Sequence, residues 1–307
     1  MNNLKKVGLT ALATTLVTSA SVAGELSVSG SAALSYTGLS TASDANPWAM
    51  GDSIKFNGGG DLDNGMTVSV YYELDGGTYD DYNLKLGMGD MGTLSFSGAS
   101  SSGSGVDKLK DIVPNAYTPV YENADSTDNG LATTSTRSTT GMWGYTYDQD
   151  GLMLSMGYNP KPAAAASAET SYAVSYSGLM DGMTLSAGRF DDGDVAENDT
   201  YGVKYVAGSI TAAYQITKVD YEATGSNDQD AAHMGVSIAV NENLTVSAGR
   251  QEVEIDTKAD DEVNTGIQAS YTMGSITLAG GFNEVESIGG AASSDAEVAM
   301  FNAAFAF

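Results

Sequence analysis

The chain has 307 residues, with 39 Asp and Glu against 13 Lys and Arg, a formal net charge of −26, one His and no Cys. So acidic a chain lacks the basic footprint that nucleic-acid binding needs, and without Cys it makes neither disulfides nor thiolate metal sites. Its 37 Gly, 17 Tyr and 5 Pro fit many short strands joined by turns. The mean hydropathy of −0.14 suits a transmembrane barrel, in which only alternate residues face lipid.

In chain order, Lys5 and Lys6 precede an apolar run from Val7 to Val17 that is too short to span a bilayer. Ser21-Val22-Ala23 offers the small residues that a signal peptidase reads. Residues 1–23 are therefore expected to be an export signal, and 24–307 a single barrel domain. Loss of Lys5 and Lys6 would leave that domain near −28.

From there apolar residues alternate with small or polar ones, the signature of half-exposed strands. One face of the first strand carries Leu26, Val28, Leu34 and Tyr36. The second opens with Ile54 and Phe56, the third has Val68, Val70 and Tyr72, the fourth Tyr82, Leu84 and Leu86, and the fifth Leu94 and Phe96. After a gap the pattern resumes at Trp143 and continues through ten further strands, to a last one with Phe301 and Phe305. The alternation predicts sixteen strands. Tight Gly-containing or Asn-containing breaks such as Asp63-Asn64-Gly65 and Asp148-Gln149-Asp150-Gly151 carry hairpin-turn chemistry. They alternate with longer polar connections at 37–52, 75–80, 100–139, 159–170, 191–199, 218–231, 253–263 and 283–295. Turns at one rim and loops at the other make an all-β, antiparallel, up-and-down transmembrane barrel. Tyr36, Tyr72, Tyr158, Tyr172, Tyr205, Tyr214 and Tyr271 fall near strand ends on the apolar parity, as an interfacial girdle would.

The longest connection, 100–139, contains a short predicted helix. Val106, Leu109, Ile112 and Val113 form an apolar stripe that Pro114 ends, while Asp107, Lys108, Lys110 and Asp111 lie on the other faces. A loop folded into the lumen could pack the stripe on the wall and turn its charges to water. At the other extreme, Phe301, Phe305 and Phe307 share one face, with an aromatic residue last. Such an ending suits delivery to outer-membrane barrel-assembly machinery.

An export signal, about sixteen strands, a long third loop and a terminal Phe resemble the general porins of gram-negative outer membranes, in particular the alphaproteobacterial (Rhodobacter-like) branch, over essentially the whole mature chain. The resemblance implies that the third loop narrows the pore, that its acids face bases on the wall, and that three barrels associate through their terminal strands as a homotrimer. Carried onto this sequence, it makes Asp107, Asp111, Glu122, Asp125 and Asp128 the loop acids. Lumen-facing parity adds Lys55, Lys85 and Lys204 as wall bases and Glu73 as a wall acid, with Arg137 at the loop's exit. The family's usual arginine cluster on the wall is thin here. Arg189 and Arg250 fall on the outer parity in matching Ser-Ala-Gly-Arg segments and are expected at the headgroup rim.

The expected function is passive diffusion of small hydrophilic solutes and ions with mild cation preference. The expected surroundings are outer-membrane lipid and lipopolysaccharide. The rival reading is a non-conducting outer-membrane barrel acting as a surface adhesin or structural protein through its acidic external loops. No enzyme is expected: the single histidine, His233, is placed at the rim of the twelfth strand with no identifiable serine partner. No cofactor is expected either. Asp191-Asp192-Gly193-Asp194 and Asp260-Asp261-Glu262 could bind calcium, but their spacing matches no defined ion loop.

Overall fold

The computed structural model describes residues 24–40, 46–98, 103–121, 141–160, 167–193, 195–222 and 228–307. The expected signal segment 1–23, along with Glu122, Asp125, Asp128 and Arg137, lies outside the described residues.

Sixteen strands follow one another: β1 (Glu25–Leu39), β2 (Trp48–Asp61), β3 (Thr67–Asp75), β4 (Thr78–Gly87), β5 (Thr93–Ser97), β6 (Met142–Gln149), β7 (Leu152–Asn159) and β8 (Glu169–Tyr176). Then come β9 (Met183–Asp191), β10 (Ala196–Ala207), β11 (Ile210–Tyr221), β12 (Gln229–Ala239), β13 (Leu244–Ile255), β14 (Glu262–Met273), β15 (Ile276–Glu286) and β16 (Ala296–Ala306). Each pairs antiparallel with its neighbours in sequence, and β1 pairs with β16, so the sheet closes into a barrel with no free edge. At the seam Phe307 exchanges two backbone hydrogen bonds with Gly30, 2.8 and 2.9 Å. A Cβ on Gly30 would lie 2.5 Å from the Phe307 ring, so a larger residue there would push that ring aside.

Alternation fixes the two faces. Outward residues on β7 are Leu154, Met156 and Tyr158, and on β12 Met234, Val236 and Ile238, all exposed. Inward residues are mostly polar or small, and many are fully buried, as with Gln215, Gln251, Asn264 and Asn283; Phe190, Val219, Val253 and Val285 are apolar exceptions. An apolar outside with a polar inside is the reverse of a soluble barrel and matches a membrane one. Aromatic residues belt the outside. Tyr36 packs edge-on to Trp48, Phe96 to Trp143, and Tyr72 stacks on Tyr82.

The Asp150-Gly151 connection has positive φ at both residues, 52° and 78°, the twist that a two-residue hairpin needs. Two expectations about connections change. The 75–80 connection is only Gly76-Gly77, again with positive φ at both. Several other external connections are also shorter than expected, because β10 begins at Ala196, β11 runs to Tyr221 and β13 to Ile255. In these extensions the outward residues, such as Lys218, Glu252 and Glu254, are polar, while Val219, Val253 and Ile255 are buried inward, so the lipid-facing alternation stops before the ladder does.

Candidate functional site

The long connection between β5 and β6 supplies the site. Its described part opens with a 3₁₀ turn, Gly105–Leu109, shorter than the predicted helix. The apolar stripe is where it was expected: Val106, Leu109, Ile112 and Val113 are all buried, with Val120 and Tyr121 joining them farther on.

The stripe needs flat ground on the inward face of the wall, and the sequence supplies glycine there. A Cβ on Gly188 of β9 would lie 2.9 Å from Leu109, one on Gly202 of β10 2.6 Å from Ile112, and one on Gly235 of β12 2.8 Å from Val113. Val120 sits over Gly249 and Gly266 in the same way. Wall side chains bind the loop's backbone, which has no ladder of its own. The Gly105 and Val106 N–H groups donate to the hydroxyls of Ser155 and Ser171, 2.8 and 2.7 Å. Gln215 Nε2 donates to the Leu109 carbonyl at 3.0 Å. The Ala116 N–H donates to Ser247 Oγ at 2.8 Å, Gln268 clasps Tyr117 and Thr118, and Asn283 Nδ2 donates to the Val120 carbonyl at 3.1 Å. The segment is thus held along the inward face from β7 to β15.

The strands not covered this way include β2–β4, and a polar pocket of about 440 Å³ separates them from the loop. Asn57, Tyr71, Asp81 and Lys85 line it from the wall, and Asp107 and Lys110 from the loop. Beside it Glu73 gathers three partners: Lys55 Nζ at 3.3 Å, the Ser53 hydroxyl donating at 2.6 Å, and the Tyr71 hydroxyl. The β3–β4 register slips between Tyr72 and Leu74, so this carboxylate projects from an irregularity in the ladder.

Of the residues expected at the site, Lys55, Glu73, Lys85 and Asp107 come together here. Asp107 is not turned to water: it is buried, with Lys110 Nζ 3.5 Å from its carboxylate. Asp111 is exposed on the loop. Lys204 lies on β10, two residues from the seat of Ile112 and outside the pocket. Asn57, Tyr71, Asp81 and Asn83 join the site without having been among the residues expected there. Their parity with Lys55 and Lys85 was the available signal, obscured by the Tyr71-Tyr72 and Asp80-Asp81 doublets.

Elsewhere, Arg189 pairs on the outward face with Glu197 and Asp199, and Arg250 with Glu252 at 2.8 Å. His233 corrects the rim placement. It lies inside β12 facing inward, buried, with its ring 5.1 Å from that of Tyr121. Asp191 and Asp192 accept hydrogen bonds from the N–H groups of their own turn, at Gly193, Val195 and Ala196. Among the described residues no three acidic or His side chains converge as a metal site would need.

A family model described as Gram-negative porin matches residues 8–307. No curated protein matches the chain. Among solved structures, the loop L8 deletion mutant of OmpT, an outer membrane protein of Vibrio cholerae, superposes with a TM-score of 0.71 at 14% identity, covering 92% of this chain and 99% of that one. A refined porin structure gives 0.69 at 18% identity, covering 92% and 100%. A multiply substituted Rh. blastica porin gives 0.65 at 15%, with the same coverage. At such identities the likeness is one of fold.

Proposed function

Because the chain belongs to the Gram-negative porin family, a family of outer-membrane channels, we propose that this barrel passes small hydrophilic solutes and ions by diffusion, with residues 103–121 narrowing the pore and with a mild preference for cations. The observation that carries this reading is the polar pocket between the loop and β2–β4, charged on both sides. Its lining acids, Asp81 and Asp107, are matched in number by Lys85 and Lys110, and Glu73 beside it is matched by Lys55. Local charge therefore nearly cancels, and the preference comes from the excess of acids in the mature domain as a whole, near −28 without Lys5 and Lys6. Such a field is screened over about 10 Å at 0.1 M salt, so selectivity should be weak and salt-dependent.

The same reading takes 1–23 as a cleaved signal and 24–307 as the mature domain, with no resident cofactor and no catalysis. It takes Phe301, Phe305 and Phe307 as the assembly signal. It also proposes a homotrimer, and a related structure, the trimer form of OmpT from Vibrio cholerae, supports that. The test is the reversal potential under a salt gradient. The expected sign is cationic and weakens as salt rises, and Asp107→Asn with Asp111→Asn should weaken it further. Clear anion selectivity of the wild type would refute the proposed charge arrangement. Solute uptake into liposomes separates this reading from a closed adhesin, which would admit nothing.

A further inference from the structure

Three consecutive inward positions of β4, Asp81, Asn83 and Lys85, all line the pocket opposite the loop. Alternate strand residues are about 6.6 Å apart, so the row sets a carboxylate at one end, an ammonium-bearing chain at the other and an amide between. The neighbouring charges are already engaged, Lys55 with Glu73 and Lys110 with Asp107. Asp81 and Lys85 lie in each other's field, yet neither takes an ion pair among the described residues.

Resting on the diffusion-pore reading and deepening it, the geometry points to a transient subsite for small zwitterions such as amino acids and dipeptides, with the solute ammonium on Asp81 and its carboxylate on Lys85. The pocket lining holds two acids and two lysines, so a lone ion finds no net charge to bind, and a sugar makes no use of the charges. A zwitterion gains at both ends, and Asn57 and Asn83 offer amides to the atoms between. Charge-assisted hydrogen bonds are about twice as strong as neutral ones. Water in the lumen keeps them weak enough for the solute to leave.

The test is single-channel recording on the full mature protein with glycylglycine, against N-acetylglycinamide as a neutral solute of similar size. Glycylglycine should interrupt the wild-type current briefly, and the neutral solute should not. Asp81→Asn or Lys85→Gln should shorten the interruptions roughly three- to tenfold, as loss of one charge-assisted contact in a watery site would. Asp81→Lys combined with Lys85→Asp should restore them, because a zwitterion can bind reversed. Each variant's own open conductance shows that it is folded. Equal interruption by both solutes, or interruptions unchanged in the single variants, would overturn the subsite while leaving the pore intact. A wild type that never conducts would overturn the pore reading and the subsite with it.

Discussion

Replacing Val106 and Leu109 together by alanine tests the seat of the loop. Both side chains are buried, 0% and 2% exposed, over Gly188. The change removes five apolar carbon groups at about 0.8 kcal/mol each, or about 4 kcal/mol, which weakens docking on the order of a thousandfold. The hydrogen bonds that Ser155 and Ser171 accept and that Gln215 donates remain, at about 1 kcal/mol apiece. They slow undocking without preventing it. The barrel ladder is untouched, so thermal unfolding should hardly shift. Planar-bilayer recording should show higher and noisier conductance, and liposome swelling with neutral polymers should show a larger size cutoff. If a folded double variant kept the wild-type conductance and cutoff, the loop's apolar seat would not be what narrows the pore.

Gly202→Val puts a Cβ 2.6 Å from Ile112 Cδ1, and it should raise conductance in the same direction by a smaller amount. Glu73→Gln removes the carboxylate facing Lys55; reversal potentials should move toward the anion side with the channel still open, and no movement would count against this wall acid. Deleting Phe307 removes its two backbone bonds to Gly30, and the amount of protein recovered as folded barrel in outer-membrane fractions should fall.

The barrel was legible because lipid imposes one demand on every second residue. The pairs Ile54 and Phe56, Leu84 and Leu86, and Ile276 and Leu278 mark strands without reference to any partner. The stripe in the loop was legible for a related reason, since four apolar side chains beside Pro114 have no place in solvent. The seat beneath it was hidden. Gly188, Gly202, Ser171 and Gln215 are ordinary inward residues on separate strands, and only closure of the sheet lines them up. His233 was misplaced because polar strand extensions look like loops. Asp107 was misread because periodicity separates it from the stripe but does not show that the short turn carrying it is buried nearly all round, with Gly105, Val106, Asp107 and Leu109 all covered.

A diffusion pore requires an open aqueous path past the loop. Recording from purified mature protein in planar bilayers addresses it directly. Discrete, long-lived open steps are expected, their size growing with salt concentration. Protein that inserts as a folded barrel and never conducts would contradict it.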